Sequence, residues 1–337
     1  MAFNQTDTHS SHHRSRLRRA WPWVFRSGVV GVLVFLFHEK IHLSLLWKHF
    51  DASLLTCMLT IQPIVLTAIF LFSLRFSYLI PSPKPSFLQI FKALTLTMGL
   101  NNMLPGRISE LVKPAYLKEH AGIPIRTSLA AVLLERGIDI FILGALTAVC
   151  ITTQLVHVTI LWVSVFLILL VCIALILFFD RSMLDFIARH LHHKLRPAVE
   201  YFIHYTSTSL RQKYFYAAVA CSLGGWFLSF LTVDAFLQMS VDPGIGRIAT
   251  FTVFVATVIG IAIPAIPGGF GTYEAGAVMV LGEYGIGYER ALAVAIALHL
   301  GQILFYVLGA VLILTFERVG ALRFLRRVYS FARSADG

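Results

Sequence analysis

Six ionisable side chains, Arg107, Glu110, Glu135, Arg136, Asp139 and Glu274, lie within or against long apolar runs of this sequence. Glu135 and Asp139 are four residues apart and share a helix face, while Arg136 and Asp139 are three apart and can pair. At about +2.5–3.5 kcal/mol per charge on insertion scales, such groups must face a bundle interior, as an ion-pair network or as a proton relay. Arg107 and Glu110 follow a break, Asn101-Asn102-Met103-Leu104-Pro105-Gly106. A helix restarting near Ile108 turns its unsatisfied N–H groups and positive dipole end toward that break, which suits an anion. Arg107 beside those amides can grip a phosphate with two parallel hydrogen bonds, and Asn101 and Asn102 can cap the opposed helix end. The alternative is an Arg107–Glu110 pair that only locks the turn, with Lys113 competing for Glu110.

The second break, Pro264-Ala265-Ile266-Pro267-Gly268-Gly269-Phe270-Gly271-Thr272-Tyr273-Glu274, carries three glycines that admit positive φ and bring backbone amides together. Gly268, Gly269 and Gly271 therefore suit a neutral anion nest, with Glu274 beside it. The alternative is a tight turn in which Glu274 bonds to backbone. No Gly-Lys-Ser/Thr ending follows, which excludes an ATP-binding loop of that type. His299 and Gln302 occupy a later apolar run, where a single histidine reads first as a hydrogen-bonded packing residue; Asp234 stands by itself in its own run.

These residues need elements to hold them, and composition says where. Of 337 residues, 57% are apolar and 13% charged, with mean hydropathy +0.77, which excludes a soluble globular enzyme. A bilayer core of about 30 Å needs about 20 helical residues. Windows at 52–74, 127–150, 158–179, 214–239 and 290–315 meet that length, and a shorter one at 21–41 begins with interfacial Trp21 and Trp23. Arg14, Arg16, Arg18 and Arg19 precede it without a cleavage site afterwards, so it is expected to remain as an anchor. The expected organisation is a disordered basic tail at 1–20, one integral membrane unit at 21–316 and a second basic tail at 317–337.

Lys and Arg exceed Asp and Glu by 28 to 17. Four segments, the tail to Arg26, Arg75 to Lys92, Arg181 to Lys213 and the tail after Phe316, hold 19 of the 28 basic residues, against four in the segments expected on the opposite side, 38–50, 151–157, 240–248 and 283–290. The positive-inside rule then puts both termini in the cytoplasm, with six full crossings. Two regions, 88–125 and 249–282, hold paired apolar stretches too short to span. Each starts and ends on one side, so each is expected to be a re-entrant helical hairpin, the two entering from opposite faces. Glu110 and Glu274, Gly137 and Gly301, and Phe141 and Phe305 match at an offset of 164 residues, and Pro105-Gly106 and Pro267-Gly268 match at 162. The expected fold is thus an all-α polytopic membrane protein with an inverted repeat.

Cys57, Cys150, Cys172 and Cys221 lie far apart in apolar segments with no CxxC pair, and the histidines at 9, 12, 13, 190, 192 and 193 lack ligand spacing. No metal and no cofactor is implied. Arg318, Arg323, Arg326 and Arg327 suit contact with anionic headgroups rather than nucleic acid.

Asn-Asn-Met-Leu-Pro-Gly-Arg-Ile-Ser-Glu (101–110), Leu-Leu-Glu-Arg-Gly-Ile-Asp (133–139), Ile-Pro-Gly-Gly-Phe-Gly-Thr-Tyr-Glu (266–274) and Leu74-Arg75-Phe76 together resemble the transmembrane region of the lysylphosphatidylglycerol synthase/flippase family. That resemblance covers most of the chain. It implies a bacterial inner-membrane domain that moves a charged-headgroup lipid between leaflets, with Arg107, Glu110, Glu135, Arg136 and Glu274 as the matching polar positions. The sequence ends at Gly337 without the family's large soluble domain, so synthase activity is not expected. The expected substrate is a phospholipid, a polyprenyl-phosphate or a glycolipid, with proton coupling as an option. Rival readings are a membrane-embedded lipid-modifying transferase using Glu110, Glu135 or Asp139 as acid or base, and a scaffold for envelope lipid biosynthesis. Expected protein partners are a second copy or such biosynthetic enzymes.

Overall fold

The structure, a computed structural model, describes residues 48–81, 85–102, 108–152, 196–241, 245–262 and 267–317. Among them every regular element is helical. Asp51 starts the first helix, α1 (Ala52–Thr60), by accepting from the Leu54 amide at 3.0 Å and the Ser53 hydroxyl at 2.7 Å. Those two donors hold the Asp51 carboxyl below its ordinary pKa. Ile61 separates α1 from α2 (Gln62–Leu79), whose Pro63 sits where a missing N–H costs nothing. The pair forms one 28-residue apolar rod.

Next comes a helix–break–helix unit: α3 (Phe87–Asn101), started by a Ser86–Gln89 capping box, a 3₁₀ turn (Ile108–Leu111), and α4 (Val112–Ala121). Gly122, at φ 67°, ends it. After α5 (Ile125–Thr152), the description resumes with α6 (Arg196–Leu210) and α7 (Lys213–Ser240). A second such unit follows, made of α8 (Arg247–Ala262), a turn at Pro267–Gly269 and α9 (Thr272–Glu283), before α10 (Tyr288–Phe316).

Three of these rods, Ala52–Leu79, Lys213–Ser240 and Tyr288–Phe316, are long and apolar enough to cross a membrane. They cover the expected windows at 52–74, 214–239 and 290–315. The window at 127–150 falls in α5, which is 28 residues long but carries the three charges of its middle turns. The windows at 21–41 and 158–179, the tail at 1–20 and all but Glu317 of the tail at 317–337 lie outside the described residues. One charge assignment is corrected: Arg75, counted above with a cytoplasmic loop, is 2% exposed inside the bundle, because α2 continues to Leu79.

The two helix–break–helix units have similar surroundings. Exchanging α2–α5 for α7–α10 preserves several neighbour pairs: α2 with α3 and α7 with α8, α3 with α10 and α8 with α5, and α4 with α5 and α9 with α10. At the centre α2 packs on α7, its own counterpart. Small residues let backbones approach here. A Cβ at Gly99 would collide with the Tyr306 carbonyl on α10, and one at Gly260, the matching place on α8, with the Thr272 carbonyl on α9.

The two hairpins approach from opposite ends of α10. At its C-terminal end Glu317 accepts from Lys92 Nζ at 2.6 Å and from the Tyr116 hydroxyl at 2.8 Å, side chains near the base of the first hairpin. Gln89 Nε2 closes that base on the His120 carbonyl at 2.6 Å. The other end of α10 follows α9 through the turn at Gly285, and there Arg290 donates to the Ser240 carbonyl at 2.5 Å and the His49 carbonyl at 3.3 Å. The far ends of the hairpins meet between these limits: a Cβ at Gly268 would stand 2.6 Å from Asn102 Oδ1.

Gly99→Val should therefore lower stability by about 1–3 kcal/mol through overpacking against α10, read as a fall in the temperature at which detergent-solubilised protein stays monodisperse. Gly282→Ala, at a position with nothing within 4 Å, should leave that temperature unchanged.

Candidate functional site

Glu135 is fully buried and shared by two cations. Arg75 reaches it from α2 through both Nε, at 3.1 Å, and a terminal guanidinium nitrogen, while Lys113 reaches its other oxygen from α4 at 2.6 Å. The second terminal nitrogen of Arg75 donates to Asp139 Oδ1 at 2.6 Å, and Trp226 Nε1 donates to the same oxygen at 3.0 Å. Arg136 pairs with Asp139 Oδ2 at 3.2 Å and with Glu110 Oε1 at 3.2 Å. Among the described residues the cluster balances three cations, Arg75, Lys113 and Arg136, against three carboxylates, Glu110, Glu135 and Asp139. Aromatic faces complete the solvation: Phe72 lies 4.8 Å from the Arg75 guanidinium and Phe76 lies 4.2 Å from Lys113 Nζ.

Exposure grades across this cluster. Lys113 and Glu135 are sealed, whereas the Arg136 and Glu110 side chains are 33% and 27% exposed. Arg136, Glu110, Asp139 and Arg75 line a cavity of about 460 Å³, from which Glu135 and Lys113 stand back. Asn101 and Asn102 line it from the first hairpin. Asn102 caps α3 by donating to the Met98 carbonyl at 2.9 Å, and Asn101 accepts from the Ser109 hydroxyl at 2.8 Å. Arg107 lies outside the described residues.

On the opposite wall the second hairpin presents Gly268 and Gly269, with Tyr273, His299 and Gln302 beside them. Gly268, Gly269 and Gly271 hold φ of 68°, 76° and 83°, as a turn of this tightness requires. Glu274 Oε2 accepts from the Gly271 amide at 2.6 Å, so one amide of the expected nest is already engaged by the chain's own carboxylate. Glu274 and Gly271 stand behind the lining, and Glu274 Oε1 meets His299 Nδ1 at 2.7 Å. Tyr273 donates to Gln302 Oε1 at 2.9 Å. Elsewhere, Asp234 takes the Thr250 hydroxyl at 2.7 Å. The rest of the cavity is apolar, with Val65, Met98, Leu143 and Phe254 among its walls, and its lining residues Ile140 and Ile261 are 39% and 42% exposed.

Charged and apolar side chains thus line one cavity beside the ends of both hairpins. The family described as lysylphosphatidylglycerol synthase TM region matches residues 23–310. The chain belongs to that family. The match contains all four segments that carried the resemblance, and with them the charged cluster and both hairpins. No curated protein and no solved structure matches the chain. Membership and the apolar rods make this an integral membrane protein with a lipid-related role.

Sequence reasoning missed the pivot of the cluster. Arg75 was legible as a charge inside an apolar run, since the run continues to Ile80 before Pro81 breaks it. Lys113 was read as a partner for Glu110 one turn away, but α4 turns it toward Glu135, and Glu110 pairs with Arg136 instead. Only the packing of α4 on α5 decides that exchange.

Glu135→Ala would leave Lys113 buried without its carboxylate and Arg75 with Asp139 alone, with an expected loss of about 3–5 kcal/mol. Glu110→Ala, which removes a half-exposed pair, should cost under about 1 kcal/mol. Thermal unfolding of the two variants in one detergent checks the ranking.

Proposed function

We propose that this chain moves a phosphate-bearing lipid between the leaflets of a bacterial inner membrane. In this reading the hairpins are re-entrant, entering from opposite faces, and both termini are cytoplasmic in accord with the basic segments. The carrying observation is the junction itself: Asn102 and Gly268, from opposed hairpins, touch beside a cavity with one charged wall and several apolar ones. Broken helices are tolerated at membrane depth where protein or a water-filled cavity satisfies their backbone, and paired breaks surround substrate sites in transporters built from inverted repeats.

Each part then has a task. Arg136 is the charged cavity residue whose partners are exchangeable, because its pair with Glu110 is half-exposed, and a phosphate replaces that carboxylate as a bidentate acceptor. Asn101, Asn102 and Arg107, together with the restarting helix end, supply further donors from the first hairpin, and Gly268 and Gly269 supply amides from the second. Arg75 is held by Glu135 and Asp139 and fixes the wall rather than following the substrate. Acyl chains stay outside, reached past Ile140 and Ile261, so only the headgroup is transferred through polar surroundings.

Reconstituted full-length protein should expose fluorescent phosphatidylglycerol of the inner leaflet to an external quencher, and lipid translocation absent at every protein density would overturn the reading. At subsaturating lipid, Arg136→Ala should slow the process about tenfold or more, the worth of a charge-assisted hydrogen bond. A normal rate in that variant would reduce Arg136 to a structural role.

A further inference from the structure

The charge of Glu135 is fixed by two cations, but its counterpart in the second half of the molecule has no such lock. At the offset of 164 that relates Glu110 to Glu274, Glu135 corresponds to His299. His299 is 1% exposed, stacked on the Tyr273 ring at 4.1 Å and tilted against the Phe270 ring at 4.8 Å. Its Nδ1 faces Glu274 Oε1, and the remaining carboxylate oxygen takes the Gly271 amide. When Nδ1–H donates to the carboxylate, Nε2 of the neutral ring keeps a lone pair for a further proton. Hence the pair carries one negative charge or none, depending on a single proton.

Most polar groups around the pair have partners of their own. From α9, Tyr273 gives its hydroxyl to Gln302 of α10, and Tyr306 of α10 lines the cavity. Across the cavity Arg75, Arg136, Asp139 and Glu110 are tied to one another or to Glu135. The first hairpin otherwise offers neutral Asn101 and Asn102, and α8 gives the cavity no ionisable side chain. On α1 the packed titratable group is Cys57, and on α7 Asp234 is bonded to Thr250. His299 itself lines the cavity while Glu274 lies behind it, so water in the cavity reaches the imidazole first.

We propose that the Glu274–His299 pair is a proton-carrying site, loaded by one proton as an anionic headgroup enters the cavity and emptied after the headgroup leaves. This rests on the translocation reading above. The proton passes from cavity water to Nε2 of His299 and forms an imidazolium–carboxylate pair, and it returns to water on the far side; no other bond changes. Loading cancels the pair's charge as a monoanionic headgroup arrives, so the net charge of the cavity stays constant and the headgroup avoids an uncompensated carboxylate in a medium of low dielectric. Because Glu274 also holds the Gly271 amide, the proton weakens the acceptor that shapes the hairpin end, and Gly268 of that end rests on Asn102.

Proton plus monoanion is electrically neutral, which sets the test. In proteoliposomes of full-length protein with fluorescent phosphatidylglycerol, a pH gradient of one unit with the voltage clamped to zero should enrich the lipid on the alkaline side. One proton per lipid sustains at most about tenfold enrichment. A voltage without a pH gradient should give none. His299→Gln keeps an amide donor for Glu274 but does not titrate, and should lose the enrichment. Enrichment that follows voltage, or that persists in His299→Gln, overturns the proposal. A second measurement needs neither variant nor transport: adding phosphatidylglycerol to wild-type protein in weakly buffered micelles should withdraw about one proton per bound lipid, the stoichiometry of a single imidazole, and no uptake overturns it. Uptake on binding with no lipid crossing would overturn the translocation reading and leave the proton site standing.

Discussion

The first half of the molecule is organised around a fully buried carboxylate. Glu135 on α5 accepts from Arg75 on α2 and from Lys113 on α4, so three helices are held to one side chain. A buried charge with a missing partner is costly, and two cations facing one carboxylate need the second acid, Asp139, to complete the balance. That requirement fixes the rotation of α5 about its own axis. Once it is fixed, Arg136, the next residue, has only the cavity side to occupy, and its exposure follows from the burial of its neighbour.

The second half fills the places of Lys113 and Arg75 with apolar groups. Ala277 stands where Lys113 does, by the offset of 164, and is buried against its neighbours. Phe236 stands where Arg75 does, counting back from the matching ends of α2 and α7 at Leu79 and Ser240, and is likewise buried. With both cations replaced by apolar groups, a carboxylate at the place of Glu135 would be unpaired, and His299 is found there instead. The two halves thus share neighbours but not electrostatics. One holds a network of ion pairs beside the cavity, the other the Glu274–His299 pair.

Helix length links this asymmetry to the membrane. At about 1.5 Å per residue, the 15 residues of α3 and 16 of α8 extend for little more than 20 Å, short of a bilayer core, whereas the 29 residues of α10 exceed it. Short helices end where backbone groups need partners. Asn102 at the end of α3 and Glu274 near the start of α9 supply them from side chains, and the remaining polar groups face the cavity. The polar character of the cavity is in this sense a consequence of where the helices stop.

By itself the sequence determined the membrane setting, the two interrupted regions and the presence of an ion pair on α5, because each is written in local composition or in spacings along one helix. Apolar length, Pro-Gly breaks and three- or four-residue separations act within a single element and need no knowledge of neighbours. What stayed illegible was every choice between distant partners. Lys113 had a suitable acid one turn away and pairs with another helix, and Glu274, expected to line the site, sits behind it. Charge pairing over long sequence distance depends on helix rotation and on which helices touch, and those follow from close backbone approaches such as Gly99 to Tyr306 and from the joint burial of many side chains. Only the folded bundle sets them.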